Sequence, residues 1–244
     1  MTGLISNIQR CSLTDGPGLR TTVFMQGCSL RCFWCHNPET ISLQPQLMHN
    51  KDKCIGCVSC PRDASVCPAN ALTVSGKEMA AGDVFAEVIK DLPFYGKDGG
   101  VTFSGGEPLV QARFLAAMLE LCKASGINTA VDTAGCVPWA NIESIIGLTD
   151  IFLYDIKAID PTLHKSGTER NNRIVLKNLD RILLSEKNVI IRIPVIPGFN
   201  GGQELERIKT YANAKKHDYK NLIDIELLPY HDLGAVKYER RVDK

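Results

Sequence analysis

From residue 20 onward, β-branched and aliphatic runs alternate with amphipathic segments, and this alternation constrains the fold more than any other feature of the chain. The runs cover 21–26, 101–103, 129–132, 151–156, 189–195 and 223–228. Between them, 83–92, 109–123, 137–146, 174–185 and 204–215 repeat apolar residues near the helical period, as Leu115, Met118, Leu119 and Cys122 do. A strand–helix–strand rhythm means parallel strands joined by right-handed helical crossovers. Six such strands wind into a sheet or an incomplete barrel, and in either case chemistry collects at their carboxyl ends.

Polar residues fall where that rule puts a site. The second run passes into Ser104-Gly105-Gly106-Glu107, the third into Asp132-Thr133, the fourth into Asp155 and Lys157, and the last into Tyr230-His231. Two glycines allow close approach to a backbone, although a tight turn alone would explain them. Beside a carboxylate they suit an ammonium group. The rim charges have an ordinary alternative as solvated strand ends. Arg192, within an apolar run, is costly to bury alone and is expected to pair with an acid or with a ligand carboxylate.

A chain of 244 residues with 44% hydrophobic content can bury one full core, so one large domain, or one carrying a small insert, is expected. Twenty-eight basic against 27 acidic residues leave a net charge of +1, which calls for neither nucleic acid nor an anionic membrane as partner. Residues 1–10 lack the pattern of an export signal, and no apolar stretch is long enough to span a bilayer. A soluble protein of a reducing, oxygen-poor cytoplasm is the expectation. Ten cysteines then point to metal rather than to disulfides, because seven lie between Cys28 and Cys67 at short spacings.

The first three, Cys28, Cys32 and Cys35, follow directly on the first run. Three thiolates on a cubane of four irons leave one iron free to chelate a substrate. Zinc completed by His36 and three inert core thiols are the alternatives, and adjacent residues such as Cys35 and His36 rarely reach one metal together. Between 36 and 76 the strand–helix rhythm breaks, and Cys54, Cys57, Cys60 and Cys67 take its place. They look like half of a bacterial ferredoxin module, with six residues rather than three before the last cysteine, and zinc is the competing reading. Cys122 lies on an apolar helix face and is read as core; Cys11 and Cys136 have no partner spacing. His49, His164 and His217 are expected to be surface or structural histidines.

The three-cysteine loop, with Trp34 before its last cysteine, resembles the signature of the radical S-adenosylmethionine (SAM) superfamily. The runs Asp15-Gly16-Pro17-Gly18-Leu19-Arg20, Cys35-His36-Asn37-Pro38-Glu39 and Tyr230-His231-Asp232-Leu233-Gly234 further resemble the activating enzymes of glycyl radical enzymes, the family of the pyruvate formate-lyase activase. That resemblance implies a radical-SAM [4Fe-4S] cluster on Cys28, Cys32 and Cys35 that reductively cleaves SAM to methionine and a 5'-deoxyadenosyl radical. The radical would take a hydrogen from a glycine of a partner glycyl radical enzyme, gripped by residues 15–20. A second [4Fe-4S] cluster on Cys54, Cys57, Cys60 and Cys67 and a flavodoxin or ferredoxin as electron donor accompany this expectation.

The resemblance also places Ser104, Gly105, Gly106 and Glu107 at the amino end of SAM. It sets Asp132, Thr133, Asp155 and Lys157 at the ribose and carboxylate, with a monovalent cation among Asp132, Thr133 and Asp155, and puts Trp34, Arg192 and His231 beside the cosubstrate. The expected fold class is α/β, an incomplete (β/α)6 barrel formed by 1–47 and 78–244, with a ferredoxin-like insert at 48–77. The family's further helix after the last strand is expected to be missing, leaving that strand open, and a monomer is expected. Two rival functions remain: a radical SAM enzyme acting on a small molecule or another peptide, and an iron-sulfur protein of electron transfer or binding.

Overall fold

The chain opens on a strand that its polar residues disguise. In β1 (Thr2–Ser12) only Gly3, Ile5 and Ser12 are buried, so no clean period-two pattern shows. β2 (Arg20–Met25) is the first of the expected strands. There follow a short hairpin of β3 (Gln46–His49) and β4 (Leu72–Ser75), then β5 (Lys77–Ala80) and α1 (Ala81–Val88). The alternating part runs β6 (Gly100–Gly105), α2 (Ala112–Ala124), β7 (Asn128–Thr133), α3 (Trp139–Ile146), β8 (Ile151–Asp155), α4 (Pro161–Thr168), α5 (Arg173–Leu184), β9 (Asn188–Val195), α6 (Gln203–Asp218), β10 (Leu222–Pro229) and α7 (Ala235–Arg240). The computed structural model describes residues 1–60 and 62–242; Pro61, within the expected insert, and residues 243 and 244 lie outside the described residues.

Eight strands form one sheet in the order β10-β9-β8-β7-β6-β2-β1-β5. The six expected strands pair in parallel, and β1 and β5 extend the sheet in antiparallel pairing beyond β2. The fold is therefore mixed α/β with a mostly parallel central sheet, open between β10 and β5. No closed barrel is formed among the described residues.

The two faces of this sheet differ. On one, Val23, Phe103, Val131, Phe152 and Ile191 pack into the main core with Leu115, Met118, Ile142, Leu179 and Ile208 of the crossover helices. Each such fully buried side chain contributes about 1.5–3 kcal/mol. On the other, Ala130, Ile151, Leu153 and Ile190 form a small apolar cluster. Because strands alternate with period two, the next residues on that second face toward the carboxyl ends are Asp132, Asp155 and Arg192. An apolar floor thus carries a charged rim.

Fully buried Arg20 donates to Thr102 Oγ1 (2.6 Å), Val101 O (2.8 Å) and Pro17 O (3.0 Å), which ties the Asp15–Leu19 turn to β6. The Asp15 carboxylate accepts from Ser12 Oγ (2.6 Å) and Thr22 Oγ1 (2.7 Å) at the same turn.

The expectation that no helix follows the last strand is corrected, since α7 does. It packs beside residues 38–40 and β3 rather than over the sheet. Ile223 and Leu227 of edge strand β10 stay exposed, as expected of an uncovered strand. No helix among the described residues is long and apolar enough to cross a membrane.

Candidate active site

Cys28, Cys32 and Cys35 leave the carboxyl end of β2 in a loop whose backbone is tied on two sides. Arg31 N donates to Thr168 O (3.0 Å) and Phe33 N to Gly167 O (3.2 Å), so the loop rests on the carboxyl end of α4. Cys28 N donates to Ile41 O (3.0 Å), and Gly27 N to Thr40 O (2.7 Å), binding it to the segment that follows the third cysteine. Trp34 fills the gap against Phe199, with ring centroids 4.5 Å apart, and a side chain at Gly167 would strike both rings.

The three cysteines line a cavity of about 480 Å³. Trp34, Ser104, Gly105, Gly106, Asp132, Thr133, Asp155, Lys157, Arg192 and His231 line it too, so nearly every expected cosubstrate residue converges there. Thr14, Asp15, His36 and Asn37 join them. Glu107 does not reach the lining; fully buried, it accepts from Thr133 Oγ1 (2.7 Å), Ala134 N (3.0 Å) and Leu109 N (3.3 Å). It ties the end of β7 to the turn after β6 and offers no free oxygen to an ammonium group. Gly105, at φ +112°, and Gly106 are dictated by packing: a side-chain carbon would lie 2.4 Å from Met25 N in the first case and 2.2 Å from Gly27 O in the second.

His36, a poor metal ligand beside Cys35, is part of the site: its ring stacks on His231 at 4.0 Å and 22°. Its place next to Cys35 was the available signal. His164 is a satisfied core histidine, buried with Nδ1 2.6 Å from Arg170 O, while His217 is exposed.

Burial pushes the Cys28 thiol up to about 12 and that of Cys32 to about 11, the latter opposed by Lys157, and it also raises Cys35. Thiols so desolvated become thiolates only against a strong positive partner, which an iron cluster supplies. Burial works against the Lys157 ammonium, but Asp155, 2.8 Å away, and Cys32 hold its pKa above the ordinary value. Arg192 Nη1 lies 3.3 Å from Asp132 Oδ2, which also accepts from Ser104 Oγ at 2.7 Å. Asp132 raises the Arg192 pKa, while burial pushes Asp132 up to about 6 against that cation.

Several buried polar atoms make no hydrogen bond: Asp155 Oδ1, His36 Nε2, and Arg192 Nε and Nη1, which have only the ion-pair contacts to Glu226 and Asp132. Open groups of both signs around one cavity suit a zwitterion, so the amino-acid end of SAM fits this rim and three thiolates at its side fit the cluster. Among the described residues no three His, Cys, Asp or Glu side chains are disposed to hold a single metal ion. A cubane distributes its ligands over separate irons, so convergence on one point is not its requirement.

Cys54, Cys57 and Cys60 are exposed and Cys67 is half-buried; none joins the cavity. Ala71 N donates to Cys67 Sγ at 3.3 Å, and the backbone N–H of Leu72 is the main influence holding that thiol below its ordinary pKa.

Glu107 gives the site a pH signature. Burial pushes its carboxyl up to about 7 from 4.5, ahead of the donors from Thr133, Leu109 and Ala134 that favour the charge. Between those values the folded chain keeps a proton that the unfolded chain has released, so the stability Glu107 contributes is fully present below pH 4.5 and is lost as pH rises to about 7. The full effect is on the order of 3 kcal/mol. Unfolding free energies from urea titrations at pH 5 and 8 are expected to differ less in E107Q than in the native chain by roughly this amount.

The model of the radical SAM superfamily matches residues 22–212. The chain is similar to the pyruvate formate-lyase 2-activating enzyme of Escherichia coli (strain K12), 41% identical over 96% of this chain and 79% of that protein. It is also similar to the trans-4-hydroxy-L-proline dehydratase activating enzyme of Clostridioides difficile, 36% identical over 98% and 88%. Among solved structures, Streptococcus suis SuiB bound to precursor peptide SuiA shares the fold at 12% identity, with a TM-score of 0.57 over 86% of this chain and 38% of that one.

Proposed function

The chain belongs to the radical SAM superfamily and is a glycyl radical enzyme activating enzyme, and on that premise we propose which of its residues carry the activity. A [4Fe-4S] cluster and SAM come with the family; when bound, the cluster supplies the electron that splits SAM, and the hydrogen is then taken from a glycine of the partner. Cys28, Cys32 and Cys35 hold this cluster. The single observation behind the assignment is one cavity that gathers all three thiols with buried atoms of opposite charge that make no hydrogen bond.

Within that cavity Asp155 and Asp132 receive the ammonium side of SAM, and Arg192 and Lys157 its carboxylate. Ser104 orients Asp132, the Gly105-Gly106 turn presents backbone, and Trp34, His36 and His231 wall off water around the base. A monovalent cation beside Asp132, Thr133 and Asp155 belongs to the same reading, supported by the unpartnered Asp155 Oδ1. Glu107 acts on this set through Thr133 and Ala134. We infer that the six parallel strands curve as an incomplete barrel: laid flat they would span about 24 Å, yet residues from Phe24 on β2 to Leu228 on β10 line one cavity.

Residues 48–77 form a ferredoxin-like insert in this proposal, with a second [4Fe-4S] cluster on Cys54, Cys57, Cys60 and Cys67. The backbone donors at Cys67 support its thiolate as fourth ligand. Flavodoxin or ferredoxin delivers the electron to a monomeric, cytoplasmic activase. The test is anaerobic: reconstituted protein, dithionite and SAM are expected to yield methionine and 5'-deoxyadenosine, and a radical by electron paramagnetic resonance (EPR) once the correct glycyl radical enzyme is added. Cleavage with no glycyl radical on any candidate enzyme would favour a small-molecule substrate; no cleavage at all would favour electron transfer.

A further inference from the structure

The end of the chain is strapped across the cluster loop. Past β10, Gly234 lies so near His36 that a side-chain carbon there would sit 2.9 Å from His36 Cα. α7 then directs Lys237 Nζ to Asn37 Oδ1 at 2.5 Å and Glu39 Oε1 at 2.8 Å, contacts that join residues 200 and 198 positions apart. Tyr238 Oη reaches Phe33 O at 3.4 Å, and Val242 N donates to Leu47 O at 3.2 Å. The strap thus touches both the loop of the three cysteines and the β3–β4 hairpin beneath the insert.

The segment that Lys237 grips bears on the site from two directions. By the chain it continues directly from Cys35 and His36. By hydrogen bonds it holds the other end of the loop, since Thr40 O and Ile41 O accept from Gly27 N and Cys28 N and Glu39 O accepts from Gln26 Nε2 at 2.7 Å. Pro38, Glu39 and Thr40 are buried. Lys237 is the one cation that the described residues bring within salt-bridge distance of Glu39, whose other oxygen is buried with no partner. Without that cation the Glu39 carboxylate is a buried, uncompensated charge, which favours its swinging outward to water with its backbone.

We propose that Lys237 is a positioning residue for SAM. It touches neither cluster nor cosubstrate; it fixes residues 37–41, and through them Cys28, Cys35 and the His36–His231 stack, in the spacing that SAM requires. The proposal rests on the activase reading.

The test compares the native chain with K237M and K237R, each reconstituted anaerobically. Iron content, the dissociation constant for SAM and the EPR spectrum of the reduced cluster with and without SAM are recorded. K237M is expected to keep its iron, to bind SAM weaker by about tenfold or more, and to show an altered spectrum only when SAM is present. K237R is expected to recover to within about threefold, since it restores the charge with a different donor geometry. Native affinity and native spectrum in K237M overturn the proposal, as does a loss of SAM binding that merely tracks lost iron. Should K237M fail to assemble its cluster, E39Q and N37A decide: native SAM affinity in both overturns it, and weakened affinity at full iron content supports it. A native chain that neither binds nor cleaves SAM overturns the activase reading as well; a competent native chain beside an unaffected K237M overturns this inference alone.

Discussion

Changing Cys28, Cys32 and Cys35 together to alanine removes one cubane's worth of iron and reduces SAM cleavage to background, while the apo fold survives. The two halves of this expectation have separate causes. Iron is lost because no other thiol among the described residues lines the cavity; Cys54, Cys57, Cys60 and Cys67 stand apart from it. The fold survives because the loop is held by its backbone, through Thr168 O, Gly167 O, Thr40 O and Ile41 O, and by Trp34 on Phe199, none of which needs a thiol. Iron analysis, visible absorption and a thermal scan of apo protein check the three statements. The apo melting point is expected within a few degrees of native, on the order of 1 kcal/mol. An undiminished iron content would place the catalytic cluster elsewhere.

That loop was legible in the sequence because its meaning is local: three thiols at fixed spacing directly after a strand. The rim was legible for a related reason. In parallel strands the carboxyl end is where side chains meet a cavity, so Asp132, Asp155 and Arg192 declare themselves by interrupting apolar runs. What periodicity could not supply was direction and distance. Glu107 stands beside two glycines in sequence, yet its carboxylate turns away from the cavity to three donors on neighbouring segments, a choice fixed by the packing of β6 against β7. β1 was hidden because polar residues interrupt it, β5 because an edge strand need bury little, and α7 because six residues hold too few turns for a pattern. The Lys237 contact spans most of the chain and has no local trace at all.

Arg192→Met has the second largest expected effect, and it separates stability from binding. Arg192 shares a rung with Asp155 on β8 and Glu226 on β10, and its guanidinium faces Asp132 from the next strand but one. Deleting it strands Asp132, which is half-buried and already pushed up to about 6 by desolvation, with Arg192 as the chief force holding it down. Removing that cation raises the carboxyl further, so the folded variant holds a proton that the unfolded chain releases. The loss of stability is therefore about 3 kcal/mol at pH 8 and smaller at pH 6, whereas a surface ion pair, ionised at both, would show no such difference. Adding Asp132→Asn removes the stranded charge and is expected to recover most of the stability at pH 8. It is not expected to recover SAM binding, because under the proposed contacts the carboxylate of SAM loses its guanidinium partner and the ammonium loses a carboxylate; affinity is expected to stay down by about a hundredfold. Urea titrations at both pH values and SAM binding to both variants measure these quantities. Recovery of SAM affinity along with stability would remove both Arg192 and Asp132 from the cosubstrate's contacts and leave them as a structural pair.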